Sequence, residues 1–210
     1  MLHKLVDKVY AINLSSSSER RESIGLQCHS IGTKFEYFDA VDGRKEDVEY
    51  TKNEINSKYQ GWNQGAAGLV HTTINIIKDA KAKGYKSIMI LEDDIVFRAN
   101  AYEDILKCFR IMPKDWELFH GAYQNIITPK FYGPMYQLSA AWSCQIYAIN
   151  ESIYDEYLEW LELVDRPIDS ITSGVFHKRG KSFAPLFPVI DTLPNFSTIR
   201  EMNINYGVGN

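Results

Sequence analysis

Three observations predict an α/β fold, with a Rossmann-like, mostly parallel sheet flanked by helices in a single domain. Strand-like and helix-like segments alternate over the first ninety residues, the order that builds parallel sheets. The run Ile88-Met89-Ile90-Leu91 is apolar without a break, as expected of a strand covered on both faces. The chain has 210 residues, 45% of them hydrophobic, enough for one sizeable core.

Each element has its own signal. Residues 9–14 (Val9-Tyr10-Ala11-Ile12-Asn13-Leu14) form the first strand, and the serines that follow open a helix over 19–30, where Ser16 and Glu19 have capping-box spacing. Ile24, Cys28 and Ile31 recur at helical intervals before Gly32 stops the helix. A second strand over 35–41 meets Asp42-Gly43, a strong turn pair. Residues 44–64 show no period and read as mobile loop plus short helix. From 67 to 83, Leu69, Ile76, Ile77 and Ala80 share a helical face, and Gly84 ends the helix. The apolar strand follows, then Ile95-Val96-Phe97. Next come a helix over 102–110 broken by Pro113, a strand over 116–120 closed by Gly121, a loop at Gly133-Pro134 and a strand over 143–149. A helix over 151–164 aligns Ile153, Tyr157, Trp160, Leu161 and Val164. After the Arg166-Pro167 interruption, a further helical segment runs from Ile168-Asp169 to near Gly180.

Composition excludes several classes. A net charge of −4 without any dense Lys/Arg block argues against binding nucleic acid or anionic lipid through charge. No apolar stretch has the length of a membrane span, and the first residues lack the apolar core of a secretory signal, so a cytoplasmic location is expected. On that basis the sequons at Asn13, Asn150 and Asn195 are taken as chance. Cys28, Cys108 and Cys144 have no paired spacing and read as buried free thiols. No G-x-S-x-G elbow, G-x-G-x-x-G turn or zinc-ligand spacing occurs.

The most informative residues are Glu92-Asp93-Asp94, which follow the apolar strand directly. Ligands of open α/β sheets gather at the carboxyl ends of strands, so the acids stand where chemistry is expected. Alternation along a strand would send Glu92 and Asp94 to one side and Asp93 to the other. Such a pair suits a hard divalent cation, although acids at a strand end also cap the next element or simply face water.

Several pieces, in order, resemble glycosyltransferase family 25 of lipopolysaccharide-type and collagen-type sugar transferases. They are Tyr10-Ala11-Ile12-Asn13-Leu14, Glu19-Arg20-Arg21, Phe38-Asp39-Ala40-Val41-Asp42-Gly43, Gly65-Ala66-Ala67-Gly68-Leu69-Val70-His71 and Ile90-Leu91-Glu92-Asp93-Asp94. Arg166-Pro167-Ile168-Asp169 is similar to the family's Pro-x-Asp element, and residues 195–199 are similar to its terminal Ser-containing signature. Val70 stands where the family has serine, and the acid that opens that motif is not evident.

The resemblance implies a GT-A type fold and an inverting transferase that moves a hexose, galactose or glucose, from a nucleotide-diphosphate sugar such as a UDP-hexose to a hydroxyl of a glycan or hydroxylated side chain. It implies Mn2+ or Mg2+ held by Asp94 and Glu92, and Asp169 as the base, with an N-cap or sugar contact as the plainer role for Asp169. Donor contacts fall to Ala11, Asn13, one of Arg20 and Arg21, Asp42, His71 and Asp93. For Asp42 the plainer reading is a turn residue bonding its own backbone, and for His71 a structural histidine. Trp62, in a polar glycine-flanked loop, is placed to stack on a sugar or base as that loop orders on donor binding. Two alternatives stand beside this: a family-shaped module without catalysis, and a metal-dependent nucleotidyl or phosphoryl transferase.

Overall fold

The structure is a computed structural model that describes residues 1–51 and 62–193, together with the backbone of Asn195–Ser197 and Met202–Ile204. In chain order the strands are β1 (Lys8–Asn13), β2 (Glu36–Asp39), β3 (Ser87–Leu91), β4 (Ile95–Phe97), β5 (Leu118–His120), β6 (Gln124–Ile127), β7 (Lys130–Tyr132), β8 (Met135–Gln137), β9 (Ala140–Trp142), β10 (Ile146–Asn150), β11 (Ser182–Pro185) and β12 (Ile190–Thr192). The helices are α1 (Ser18–Ser30), α2 (Gln64–Lys83), α3 (Ala101–Ile111), α4 (Tyr154–Leu161) and α5 (Ile168–Ile171).

Eight strands form the central sheet in the order β2-β1-β3-β10-β5-β11-β8-β7. β2, β1 and β3 are mutually parallel, β10 runs against both β3 and β5, and β5 is parallel to β11. β8 opposes β11 and β7 opposes β8. Six strands therefore point one way, with β10 and β8 reversed: a mixed sheet, mostly parallel in direction, flanked by helices.

Side-chain alternation splits the core into two layers, one on each face. Tyr10, Ile12, Ile88, Ile90, Tyr147 and Ile149 pack with α2, α4 and α5. Val9, Ala11, Met89, Leu91, Ile146 and Ala148 pack with α1 and α3. Burial on both faces is why β1, β3 and β10 read as continuous apolar runs. All three cysteines are free and buried, as expected.

Helix ends agree with their sequence signals in some places and not in others. Gly84 closes α2 at φ 70°, and Gly180 ends the last helical segment at φ 70°, both in the left-handed conformation that glycine adopts without penalty. α2 begins earlier than 67, because Asn63 caps it by accepting the Ala66 N–H at 3.0 Å through Oδ1. The capping box at Ser16 is not formed: Ser17 is the N-cap of α1 and makes no side-chain cap bond. The segment over 151–164 is a 3₁₀ turn, Glu151–Ile153, leading into α4. After α5 the chain passes through a π turn, Thr172–Phe176, and a 3₁₀ turn, His177–Arg179. Part of the loop expected over 44–64, residues 52–61, lies outside the described residues, as do the side chains of 195–199. No helix among the described residues is long and apolar enough to cross a membrane.

One close approach fixes the entry to α2. A Cβ on Gly68 would lie 2.5 Å from Val41 O and 2.6 Å from Gly43 N, and one on Gly43 would lie 1.9 Å from Gln64 O. The Asp42-Gly43 turn therefore packs backbone against backbone on the first turns of α2, a contact that only glycines permit. Val70, two residues on, is fully buried in the first core layer, so this departure from the family motif falls among apolar neighbours.

Candidate active site

The acids form a turn at the carboxyl end of β3. The strand ends at Leu91, and residues 92–94 link it to β4 instead of extending it. In this turn Asp93 and Asp94 share one cation. Arg20, in the first turn of α1, places Nη1 3.1 Å from Asp93 Oδ1 and Nη2 3.6 Å from Asp94 Oδ2. Asn13, the last residue of β1, donates through Nδ2 to Asp93 Oδ2 at 2.6 Å and to Ser17 O at 3.1 Å. Parallel pairing of β1 with β3 brings these residues to one rim of the sheet.

The second half of the chain closes the other side. β10 runs antiparallel to β3, so it enters the sheet at the rim where β3 leaves it. Gln145, just before β10, accepts the Glu92 N–H at 2.8 Å through its carbonyl. Its side chain donates to Thr192 Oγ1 at 2.8 Å and accepts from Ser143 Oγ at 3.2 Å. Leu193 N–H donates to Asp94 O at 2.8 Å. Ser143 has φ 91°, a left-handed conformation unusual for a residue with a side chain.

Electrostatics mark the cluster. Burial, then the charges of Asp94 and Asp93, push the Glu92 carboxyl well above its ordinary range, while Arg20 opposes this and Asp169 adds to it. Burial also raises Asp93, against Arg20 and the Asn13 hydrogen bond. For Asp94, too, burial raises the proton affinity, with Arg20 and the Gln145 amide among the groups that counter it. Asp169 lies near the start of α5, and its charge adds to the upward push on the Glu92 carboxyl and the Cys144 thiol.

The cluster suits a divalent cation in one respect that its hydrogen bonds reveal. Asp94 Oδ1 is buried and has no hydrogen-bond partner among the described residues, and Glu92 is a second, charge-stressed carboxylate beside it. Among the described residues no group of three or more His, Cys, Asp and Glu converges as a ready-made metal cage. Mg2+-type sites that share their ion with a substrate diphosphate commonly use only one or two protein carboxylates, with phosphate and water completing the shell. Glu92 and Asp94 meet that requirement.

The other predicted residues separate. Arg21 is engaged elsewhere: Nη1 lies 2.9 Å from Asp39 Oδ1 and the guanidinium stacks 4.2 Å over the Tyr37 ring, whereas Arg20 pairs with the acids. Ala11 is buried in the second core layer two residues before Asn13. Asp42 is largely engaged with its own turn, accepting from Arg44 N at 3.3 Å and Arg44 Nε at 3.2 Å, with Lys45 Nζ at 3.4 Å. Burial raises its carboxyl, but these hydrogen bonds and charges outweigh burial and hold it below its ordinary value. His71 contacts Glu49 O through Nε2 at 3.2 Å. Trp62 donates from Nε1 to Thr51 O at 3.0 Å and meets the Tyr50 ring edge-on, which tethers it to the 48–51 segment.

Sequence reasoning passed over a buried histidine pair. Ala141 N–H donates to His177 Nδ1 at 3.2 Å, which places the His177 proton on Nε2. That nitrogen lies 3.0 Å from His120 Nε2, leaving the His120 proton on Nδ1, 3.2 Å from Ser143 O. Burial lowers the pKa of His120 to about 4 and that of His177 to about 2, so both rings are neutral donors and acceptors at ordinary pH. The pair spans the turn that carries Gln145. Gln145 was also missed; its one sequence signal is a polar residue immediately before an apolar strand.

Open α/β sheets bind ligands outside the carboxyl ends of their strands, and the acidic turn stands at such an end, that of β3. Residues 6–139, well over half of the chain, match the family described as glycosyltransferase family 25 (LPS biosynthesis protein), and the chain belongs to that family. A Drosophila melanogaster protein, "Glycosyltransferase 25 family member", is 31% identical over 109 residues. That match takes in 46% of this chain but 18% of the fly protein. Similar solved structures include a glycosyltransferase involved in glycosylation of the major capsid of PBCV-1, with TM-score 0.44, 12% identity and coverage of 85% of this chain and 92% of that one. Another is mouse xyloside xylosyltransferase 1, apo form, with TM-score 0.44, 12% identity and coverage of 84% and 71%.

Proposed function

We propose that the chain is an active, inverting glycosyltransferase that moves a hexose from a nucleotide-diphosphate sugar, a UDP-hexose, to a hydroxyl on a glycan or a hydroxylated side chain, assisted by Mn2+ or Mg2+. The observation that carries the reading is the unpartnered, buried Asp94 Oδ1 beside Glu92, at the end of a central strand and in electrostatic reach of Asp169. Glu92 and Asp94 would hold the cation, which when bound supplies positive charge for the departing diphosphate. Arg20 sets a second positive charge beside the acids, and Asn13 keeps Asp93 oriented. An acidic chain can thus admit an acidic donor at one point.

Inversion needs a base on the acceptor side. Asp169 accepts the hydroxyl proton as the acceptor oxygen bonds to the anomeric carbon and the bond from that carbon to the diphosphate oxygen breaks. Its place near Glu92, at the start of α5, supports that role. The burial of Val70 favours an active enzyme over a family-shaped module, because the altered motif position is a core position.

Screening nucleotide sugars for manganese-dependent release of nucleoside diphosphate tests the reading, with Asp94→Ala as control. Turnover with one donor that disappears in Asp94→Ala is expected. Metal-dependent turnover that survives unchanged in Asp94→Ala would overturn the assignment, and release of pyrophosphate instead would point to a nucleotidyl transferase.

A further inference from the structure

We propose that Gln145 is the positioning residue of the acidic turn: clamped by Thr192 and Ser143, it sets where Glu92 and Asp94 stand toward a divalent cation and the donor diphosphate. The inference rests on the reading that Glu92 and Asp94 hold that cation. Four contacts carry it. The Gln145 carbonyl takes the Glu92 N–H at 2.8 Å, which fixes the backbone where the acids begin. Its Nε2 donates to Thr192 Oγ1 at 2.8 Å and its Oε1 accepts from Ser143 Oγ at 3.2 Å, so both ends of the amide are held. Leu193, next to Thr192, donates to Asp94 O at 2.8 Å, which fixes the backbone where the acids end. One residue thus ties both flanks of the turn together.

The anchoring continues inward. Ser143 holds a left-handed φ of 91°, which costs energy for a residue with a side chain and persists where neighbours enforce it. His120 Nδ1–H on Ser143 O, backed by His177 and the Ala141 N–H, supplies that enforcement from a fully buried position. Groups that orient metal-binding carboxylates typically alter metal affinity 10–100-fold when removed, roughly, without touching the ion.

The test measures Mn2+ binding directly, by the electron paramagnetic resonance signal of free Mn2+ in the presence of UDP, alongside donor kinetics. Gln145→Met preserves side-chain length and removes the amide. It is expected to weaken Mn2+ binding about 10–100-fold, to raise the donor KM at fixed Mn2+ with recovery at high Mn2+, and to add little in an Asp94→Asn background. A merely structural role would lower the thermal midpoint but leave Mn2+ affinity of the folded protein unchanged. Should Gln145→Met fail to fold, Thr192→Val, which removes only the acceptor of the amide, is expected to weaken Mn2+ in the same direction by a smaller factor. If Asp94→Asn abolishes Mn2+ binding while the Gln145 or Thr192 variant stays within about twofold of the parent, the positioning role alone is overturned. If the parent protein shows no Mn2+ binding that Asp94→Asn removes, the reading of the site falls and this inference with it.

Discussion

Arg20 stands 3.1 Å from Asp93, close enough for a charge-assisted hydrogen bond, and the same guanidinium reaches toward Asp94 at 3.6 Å. All three side chains are largely buried, so this pairing is shielded from the solvent that weakens surface ion pairs. Replacing Arg20 with Met would leave the acids facing one another without their principal counter-charge. We expect Arg20→Met to destabilise the fold by about 1.5–3 kcal/mol, the range for hydrogen bonds to charged groups. Urea unfolding at neutral pH measures it; an unchanged midpoint would show that the pair contributes nothing.

Glu92 should behave in the opposite way. Its folded carboxyl keeps a proton to higher pH than the unfolded one, whose ordinary value is 4.5. Between the two values the unfolded state binds fewer protons, so this group's contribution to stability falls as pH rises through that window. Glu92→Gln removes the buried charge, and without added metal its thermal midpoint at pH 7.5 is expected to exceed the parent's by a few degrees. The difference should vanish as the pH approaches 4.5.

The histidine pair has its own acid signature. His120 sits at about 4 when folded, against an ordinary 6.5. The unfolded chain therefore binds the extra proton between those values, and stability contributed by the neutral ring is lost as pH falls below about 6.5. His120→Asn should flatten the acid limb of a stability–pH curve by about one proton over that range. Urea midpoints taken from pH 7.5 to pH 4 would show it, and parallel curves for the two proteins would contradict it.

Asp169→Asn keeps size and hydrogen-bonding capacity while removing basicity. If Asp169 is the acceptor-side base proposed above, it should account for roughly 10²–10⁴-fold in turnover, the usual span for general base catalysis. Donor and Mn2+ binding should persist. Calorimetric titration of donor beside a turnover assay separates the two, and full turnover in the variant would remove Asp169 from the mechanism.

The contact between Gly43 and Gly68 tests the fold without touching the acids. In Gly68→Ala the new methyl would meet Val41 O and Gly43 N, backbone atoms that cannot swing aside. Overpacking of this kind costs about 1–3 kcal/mol, readable as a lower urea midpoint. Gly84→Ala offers a contrast, since nothing lies within 4 Å of its Cβ position and only the positive φ is penalised.

β1, β3 and α2 were legible because their signals are local. Apolar runs gave β1 and β3, and periodicity with a terminal glycine gave α2. The middle of the chain was harder. β6, β7, β8 and β9 span only three or four residues each, too short for alternation to register, and the Gly133-Pro134 loop is the tight turn between β7 and β8. The strand expected over 143–149 begins at Ile146, because the backbone at Ser143 turns through a positive φ that serine does not announce. In the site, Glu92, Asp93 and Asp94 stood out as consecutive acids after an apolar strand. The choice between Arg20 and Arg21 depended on which way the first turn of α1 faces, a matter of packing. His120 and His177 are 57 residues apart and no spacing rule links them.

The reversed strand β10 binds the two parts of the chain into one object. The family match ends at residue 139, yet β10 supplies β3 with five successive partners, from Ile146 beside Leu91 to Asn150 beside Ser87. A fragment cut at the family boundary would bare an apolar seam along the middle of the sheet, inviting aggregation. It would also lack Gln145 and Asp169. The acidic turn therefore cannot be dissected away from the carboxy-terminal third, and swapping that third between relatives would alter the cradle of the acids.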